Sequence, residues 1–200
     1  MYAVRLQEWT TFAVLAAWFS FAAIFLFRRR PPASPETSRD PMGPEGILLQ
    51  GVGFGVIWSL RRPPGAPLFE ASLPVHILVT AVLAAVTVAL AAGSVALTLW
   101  SVRTLGRQWA LAARLVEGHE LVTGGPYQYV RNPIYAGLLG MLLATGIAWS
   151  RPLAIVLGTL VFCAGTVVRI RAEERLLRNA FGESWEAWAG RTPALVPGIW

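Results

Sequence analysis

The sequence predicts an all-α integral membrane protein with about five transmembrane helices. Three observations support this class: 55% of the 200 residues are hydrophobic, only 14% are charged, and the mean hydropathy is +0.54. A single water-soluble core cannot bury that much apolar surface. The apolar residues also form long runs, which are separated by short stretches rich in arginine, glycine and proline. Such an alternation is typical of membrane-spanning helices and their loops.

The first apolar run predicts a retained transmembrane helix over residues 9–27. At about 1.5 Å per residue, the run crosses a hydrocarbon core of roughly 30 Å. The charges of Arg28, Arg29 and Arg30 come after the run, whereas a cleaved signal peptide carries its charges before it. The linker that follows, residues 28–45, is rich in proline, serine and charge and is predicted to be exposed.

Two further runs predict the second and third helices. Residues 46–60 are marginal in length for a span, and the alternating Gly51, Gly53 and Gly55 indicate a close helix contact or a bend. Residues 73–102 are long enough for a tilted helix. We therefore expect residues 1–102 to form an N-terminal unit of three transmembrane helices and their linker.

The second half of the chain, residues 103–200, begins with a polar segment that ends at Asn132. Two spans and two short interfacial helices are predicted after it, over residues 133–149, 152–168, 169–179 and 183–190. The two spans are joined by a tight turn at Arg151 and form an antiparallel hairpin. The short helices carry charge and tryptophan, which suits the edge of a bilayer.

The basic residues predict the orientation in the membrane. All 17 are arginine, against 11 acidic residues, which gives a formal net charge of +6. Thirteen of the 17 lie in the linker 28–45, in the polar segment 103–132 or after residue 168. By the positive-inside rule, we expect the N-terminus outside and the C-terminus in the cytoplasm, in a bacterial inner membrane. Topology and lipid headgroups explain these arginines, so we expect the bilayer as a partner and no nucleic acid.

Both polar segments then share the cytoplasmic face and bring candidate site residues together. The stretch from Leu121 to Tyr135 reads LVTGGPYQYVRNPIY, with Asn132 at an N-cap position and Pro133 at a helix start. The N–H groups of that helix start, together with Arg131, suit an anion such as a carboxylate. The other candidates in the two segments are Gly106, Trp109, Glu117, His119, Glu120, Arg169, Arg171, Glu173, Glu174 and Arg175.

Each of these features also has a purely structural interpretation. Asn132 and Pro133 fit a plain helix cap, and the tyrosines at 127, 129 and 135 fit an interfacial aromatic belt. The adjacent glutamates fit ion pairs with arginines of their own helix. The single cysteine, Cys163, lies in an apolar run and fits core packing. The two histidines have no ligand partner at helical spacing, so we expect no metal site.

Taken in order, the motifs resemble a known family. The string LVTGGPYQYVRNPIYAG is followed some forty residues later by RAEERLLRNAFGESWEAWAGRTPALVP. This order of a Gly-Pro-Tyr turn, an Arg-x-Pro-x-Tyr helix start, a Glu-Glu pair, spaced aromatics and an Arg-x-Pro is similar to the isoprenylcysteine carboxyl methyltransferase family and its phospholipid methyltransferase relatives. The resemblance covers about half of the chain, roughly residues 105–197.

The resemblance implies a membrane methyltransferase that uses S-adenosylmethionine, bound in a cytoplasmic pocket between the loop before the fourth helix and the C-terminal helices. A lipophilic small molecule or lipidated substrate would enter from the bilayer. The implied cofactor-binding residues are Leu121, Val122, Gly125, Tyr127, Arg131, Asn132, Pro133, Tyr135, Arg171, Glu173 and Glu174. Among them, Arg131 and Asn132 are the implied catalytic residues.

One position departs from the family pattern, because Asn132 stands where most members have histidine. Asparagine donates a hydrogen bond to a carboxylate, but it cannot gain a proton near neutral pH. An ionised acceptor needs no general base, so we expect a prenylcysteine-like carboxylate, a thiol or a lipid headgroup rather than an amine. Two alternatives stay open: a sterol-type membrane reductase that uses NADPH, and a non-catalytic membrane scaffold.

Overall fold

The computed structural model describes residues 2–27, 36–39, 41–63, 66, 68, 73–109, 114–116, 118 and 120–196. Six α-helices lie in these ranges: α1 Tyr2–Leu26, α2 Gly43–Ser59, α3 Leu73–Leu105, α4 Pro133–Trp149, α5 Pro152–Phe181 and α6 Glu183–Ala189. Two short strands, β1 Glu36–Arg39 and β2 Arg114–Val116, form an antiparallel pair. The 3-10 turns Gly106–Gln108 and Gly125–Gln128 lie between α3 and α4.

The five long helices run up and down in one bundle. α2 packs along α5, α3 packs along α4, and α1 packs against both α3 and α4. Because consecutive helices alternate in direction, α1 and α3 end where α2 and α4 begin. We call this end of the bundle the site end.

At the opposite end, Arg62 covers the last turn of α4. Its backbone N–H donates to the carbonyl of Trp149 at 2.8 Å, and its Nη2 donates to the carbonyls of Ile147 and Ala148 at 2.9 and 3.0 Å. Helices leave their last carbonyls without intrahelical partners, and a cation there stabilises the helix dipole. Burial lowers the pKa of the Arg62 guanidinium, since the surrounding apolar residues disfavour its charged form.

Three helices in the described part of the chain are long and apolar enough to cross a membrane: Arg5–Leu26, Ile77–Leu105 and Pro152–Phe181. They support the predicted class of helical membrane protein. α4 is apolar but has only 17 residues, and α2 has the same length. A total of five crossing segments therefore stays a prediction.

The alternating glycines of α2 do not all make the close contact that their pattern predicts. A Cβ on Gly53 would lie 2.7 Å from the carbonyl oxygen of Gly158 on α5. Gly51 and Gly55 have nothing within 4 Å of the same position. Only one face of α2 meets α5, so alternate residues cannot all point toward it.

A second glycine pair, Gly46 and Gly165, lies seven residues from Gly53 on α2 and from Gly158 on α5. A Cβ on Gly165 would lie 2.8 Å from the carbonyl oxygen of Gly46. Positions seven apart return to nearly the same face of a helix, so the two pairs form one seam between α2 and α5. Small residues along such a seam let two backbones approach closely.

The sequence interpretation of the fifth helix was wrong at its end. A span ending at Val168 and a separate short helix were expected, but α5 continues without a break to Phe181. No glycine or proline interrupts its second half, and Arg169 forms an i,i+4 ion pair with Glu173 at 2.9 Å. Gly182, which has a φ of +49°, ends the helix.

Two short strands accompany the helices, which bear out the predicted helical class. β1 lies in the linker that was expected to be an exposed loop, and it pairs with β2 in the polar segment before α4. Glu36 is opposite Val116, and Arg39 is opposite Arg114. The pair therefore ties the linker after α1 to the polar segment at the site end.

Candidate active site

A cavity of about 390 Å³ lies at the site end of the bundle. Its volume is within the range of small-molecule sites, roughly 300–1,000 Å³. All six α-helices and the loop before α4 contribute side chains to its wall. The polar side chains of the wall come mainly from this loop, the start of α4 and the middle of α5, and the apolar ones come from every helix. The cavity therefore joins a charged part to a large apolar part.

Three side chains of α4 and α5 form the first charged cluster. Tyr135 donates its hydroxyl hydrogen to Glu173 Oε1 at 2.5 Å, and Arg169 donates to the Tyr135 oxygen at 2.7 Å and to Glu173 Oε1 at 2.9 Å. Arg169 is 4% exposed, whereas the Glu173 side chain is 29% exposed. The buried guanidinium is thus paired, as a buried charge must be, and Glu173 has the most exposed side chain of the cluster.

Arg131 forms the second charged cluster, at the start of α4. Its Nε donates to Glu174 Oε1 at 2.8 Å, and its Nη1 donates to the carbonyls of Ala189, at 2.8 Å, and of Thr192. Its backbone N–H also donates to the carbonyl of Pro193 at 2.8 Å. Arg131 therefore holds α5, the end of α6 and the C-terminal segment together beside the cavity.

Asn132 lies at the N-cap position of α4, as predicted, but its side chain does not cap the helix. Its Nδ2 and its backbone N–H both donate to the carbonyl of Ala194 at 3.0 Å. Its own carbonyl accepts the hydrogen bonds of Tyr135 and Ala136 at the start of the helix. The amide side chain therefore binds the C-terminal segment instead of the first turn of α4.

The loop before α4 rests on the tryptophans of α6. Tyr127, Trp185 and Trp188 are all buried and pack with Leu121 and Val122 of the loop. Trp188 and the two loop residues line the cavity. An aromatic ring beside small aliphatic side chains suits a flat, partly apolar ligand group.

Gly125 is required by the backbone of this loop. Its φ of +60° is a left-handed conformation, and a Cβ there would lie 2.7 Å from Thr104 Oγ1. Gly125→Ala is expected to cost about 1–3 kcal/mol of local backbone strain and to loosen the loop over α6. Gly124→Ala is the matched control, because Gly124 has a φ of −90° and open space around it. Thermal unfolding in detergent should show a lower Tm for Gly125→Ala alone, and equal Tm values for the two variants would contradict the assignment.

The structure brings most of the sequence-predicted residues to the cavity. Those that line it are Trp109, Glu120, Leu121, Val122, Tyr127, Arg131, Asn132, Pro133, Tyr135, Arg169 and Glu173. Glu174 lies behind Arg131, and Gly125 is the left-handed residue of the loop before α4. Arg171, Arg175 and Gly106 are exposed and do not line the cavity. Glu117 and His119 lie outside the described residues.

The geometry supports the purely structural interpretation for some of the candidate glutamates and tyrosines and not for others. Glu173 pairs with Arg169 of its own helix, but Glu174 pairs with Arg131 of another element. Tyr135 and Tyr127 are buried, whereas Tyr129 is 59% exposed and fits an interfacial residue. The glutamate pair therefore connects two clusters rather than lying on one solvated helix face.

The chain matches the phospholipid methyltransferase family over residues 72–184, which is more than half of its length. The chain belongs to this family. The matched residues of this protein contain α3, α4 and α5, together with the charged side chains of both clusters. α1 and α2 lie before it.

Curated relatives resemble this protein over about half of its length and about half of their own. Protein-S-isoprenylcysteine O-methyltransferase B of Arabidopsis thaliana is 32% identical over 99 residues, which are 48% of this chain and 50% of the plant protein. A probable protein-S-isoprenylcysteine O-methyltransferase of Oryza sativa subsp. japonica is 34% identical over 101 residues, 50% of this chain and 53% of the relative. The resemblance to isoprenylcysteine methyltransferases is thereby confirmed.

A third relative carries a different kind of name. The cobalt-zinc-cadmium resistance protein CzcN of Cupriavidus metallidurans is 40% identical over 99 residues, 48% of this chain and 45% of that protein. The chain thus spans about half the length of the curated relatives it matches.

Sequence reasoning missed the contribution of α1 and α2 to the cavity. Phe21 and Phe25 of α1 and Ile47 and Gln50 of α2 all line it. These residues lie in apolar runs without a motif, and only Gln50 interrupts its run with a polar side chain. That interruption was the one signal that could have pointed to the site.

Proposed function

We propose that this protein is a membrane-embedded methyltransferase that uses S-adenosylmethionine to methylate a lipophilic acceptor. The observation that carries the proposal is the joining of two charged clusters and a large apolar surface in one cavity, in a member of the phospholipid methyltransferase family. A cavity of this kind suits a polar cofactor beside an apolar acceptor.

The residues of the cavity fit the groups of this cofactor. Among the described residues, Arg131 Nη2 has no hydrogen-bond partner and would meet the cofactor's carboxylate. The carboxylate of Glu173, which lines the cavity, suits a cationic group or ribose hydroxyls. Leu121, Val122 and Trp188 would cover the adenine ring. When bound, S-adenosylmethionine supplies a sulfonium methyl group that a nucleophile can attack.

The protein's own part in the reaction is to align the acceptor and exclude water. Neither Arg131 nor Asn132 is arranged as a base, since both use their N–H groups to hold the C-terminal segment. We therefore assign them as positioning residues. An ionised carboxylate or thiolate needs only orientation and desolvation to attack, which the apolar part of the cavity supplies. A prenylcysteine-like carboxylate, a thiol and a lipid headgroup all fit this requirement.

The cavity favours this function over a reductase that uses NADPH. NADPH carries three phosphate groups and S-adenosylmethionine carries none, and the cavity offers few cations. Its two cationic side chains, Arg131 and Arg169, are each already paired with a glutamate. Little positive charge is therefore left to bind the phosphates of NADPH.

Thermal unfolding of the detergent-solubilised protein with S-adenosylhomocysteine or NADPH tests the proposal. We expect S-adenosylhomocysteine at a hundred times its Kd to add about 2.7 kcal/mol of stability, which raises the Tm by several degrees. Stabilisation by NADPH alone would support the reductase. A Tm that neither compound changes would favour the non-catalytic scaffold. The expected orientation, with the C-terminus in the cytoplasm, is tested separately by labelling cysteines introduced at each end of the bundle in intact cells.

A further inference from the structure

Gln50 places an unpaired acceptor atom in the apolar part of the cavity. The residue is 8% exposed and lines the cavity from α2. Its Nε2 donates to Thr166 Oγ1 at 2.9 Å, so α5 holds this end of the amide. Among the described residues, its Oε1 has no hydrogen-bond partner. Because the atom is not enclosed by the protein and Gln50 lines the cavity, Oε1 is available to a donor group of a ligand there.

The seam between α2 and α5 fixes the depth of Gln50. Gly46 lies against Arg169, and Gly53, two turns further along α2, lies against Phe162. Gln50 and its partner Thr166 fall between these levels, so Gln50 lies about one turn deeper in the bundle than the Arg169 cluster.

Apolar and aromatic side chains surround Gln50 at this depth. Phe21 and Leu138 line the cavity there, and Phe54 follows Gln50 by one helical turn. The Phe54 ring contacts Phe162 at 5.5 Å and Trp18 at 5.3 Å between ring centroids. The Gln50 amide and its partner Thr166 therefore lie between the charged clusters and an aromatic layer.

The place of Gln50 in the chain separates it from the cofactor residues. Both charged clusters lie within residues 72–184, which the family shares, and Gln50 lies before them. The names of the family and of its relatives differ in the acceptor, a phospholipid in one case and isoprenylcysteine in the other. A residue that selects the acceptor is thus expected outside the shared part.

We propose that Gln50 Oε1 binds the methyl acceptor, and that the acceptor is an apolar molecule with an N–H or O–H donor next to the group that is methylated. This inference rests on the proposed function. Thr166 acts as a positioning residue, because its hydroxyl oxygen turns the amide so that Oε1 faces the cavity. An acceptor without the donor leaves Oε1 unpaired, which is how buried polar groups reject an otherwise similar substrate.

Two acceptors that differ in the acetamido group that carries the donor test the proposal. N-acetyl-S-geranylcysteine carries an amide N–H beside its carboxylate, and 3-(geranylthio)propanoate has the same carboxylate and chain without it. We expect the protein in vesicles to methylate the first with about tenfold higher kcat/KM. Gln50→Leu should bring this ratio close to one by raising KM for the amide acceptor, and S-adenosylhomocysteine should bind as before.

Two further variants separate recognition from folding. Thr166→Val keeps Gln50 but removes the atom that orients it, so the ratio should fall part of the way. Leu48→Ala changes an exposed residue of the same helix and should leave the ratio unchanged.

The remaining outcomes overturn one proposal or the other. If S-adenosylhomocysteine does not bind to the unaltered protein, the proposed function fails. If it binds, three results would overturn the role of Gln50. The ratio of kcat/KM for the two acceptors could be equal in the unaltered protein and in Gln50→Leu, or that variant could bind S-adenosylhomocysteine more weakly. The third such result is that the protein methylates neither acceptor.

Discussion

Replacing Arg131 with alanine is expected to remove most of the affinity for S-adenosylhomocysteine. The change breaks the contact with Glu174 and frees the carbonyls of Ala189 and Thr192. The side chains of Arg131 and Glu174 are only 14% and 19% exposed, so the glutamate is left largely buried without its partner. The change also removes Arg131 Nη2, the group that would meet the cofactor's carboxylate, and losing one partner of a desolvated, hydrogen-bonded charge pair costs about 2–5 kcal/mol of binding free energy. Since 1.4 kcal/mol corresponds to a factor of ten, we expect roughly hundredfold weaker binding, measured by calorimetry in detergent.

Two comparisons make the Arg131 experiment specific. Glu174→Ala should also weaken binding, because the paired guanidinium then loses its carboxylate. Arg191→Ala removes an exposed arginine near the same segment and should bind S-adenosylhomocysteine normally. Unchanged affinity in both Arg131→Ala and Glu174→Ala would show that the cofactor binds elsewhere.

Gly53→Ala is expected to give the largest loss of stability of any single methyl group added to α2. The new Cβ would lie 2.7 Å from the carbonyl oxygen of Gly158 and 2.9 Å from Phe162 Cβ. Neither backbone nor Cβ atoms can rotate away, so the two helices must separate. Overpacking of this kind costs typically 1–3 kcal/mol, and it displaces Gln50 together with α2.

The same helix offers the control for Gly53→Ala. Gly51→Ala adds the same methyl group where nothing lies within 4 Å, and alanine favours helix over glycine by up to about 1 kcal/mol. Thermal unfolding in detergent should therefore show a lower Tm for Gly53→Ala and an equal or higher Tm for Gly51→Ala. A seam between α2 and α5 would be contradicted if both variants unfolded at the same temperature.

The helices could be predicted from the sequence because their signals are local. The proline at 133 and the turn at Arg151 mark where α4 begins and where it meets α5, and the structure has these bounds. The end of α5 was missed because the change from apolar to charged residues was taken as the end of a helix. The residues after that change are good helix formers, so the helix continues past it.

The wall of the cavity could be predicted only where a motif reported it. The stretch from Leu121 to Tyr135 was found because its polar residues stand out beside an apolar run. Phe21 and Ile47 are ordinary residues of apolar helices, and only packing turns them toward the cavity. The bonds of Asn132 were also beyond prediction, since the carbonyl of Ala194 that they reach is 62 residues away.

The attachment of the C-terminal segment has a consequence for the order in which the protein becomes active during its synthesis. Arg131 and Asn132 reach carbonyls at positions 189, 192, 193 and 194, so the wall of the cavity is complete only after these residues have left the ribosome. The helices α1 to α5 are already made by then. The last part of the cavity wall therefore forms after the helices that make up the rest of it.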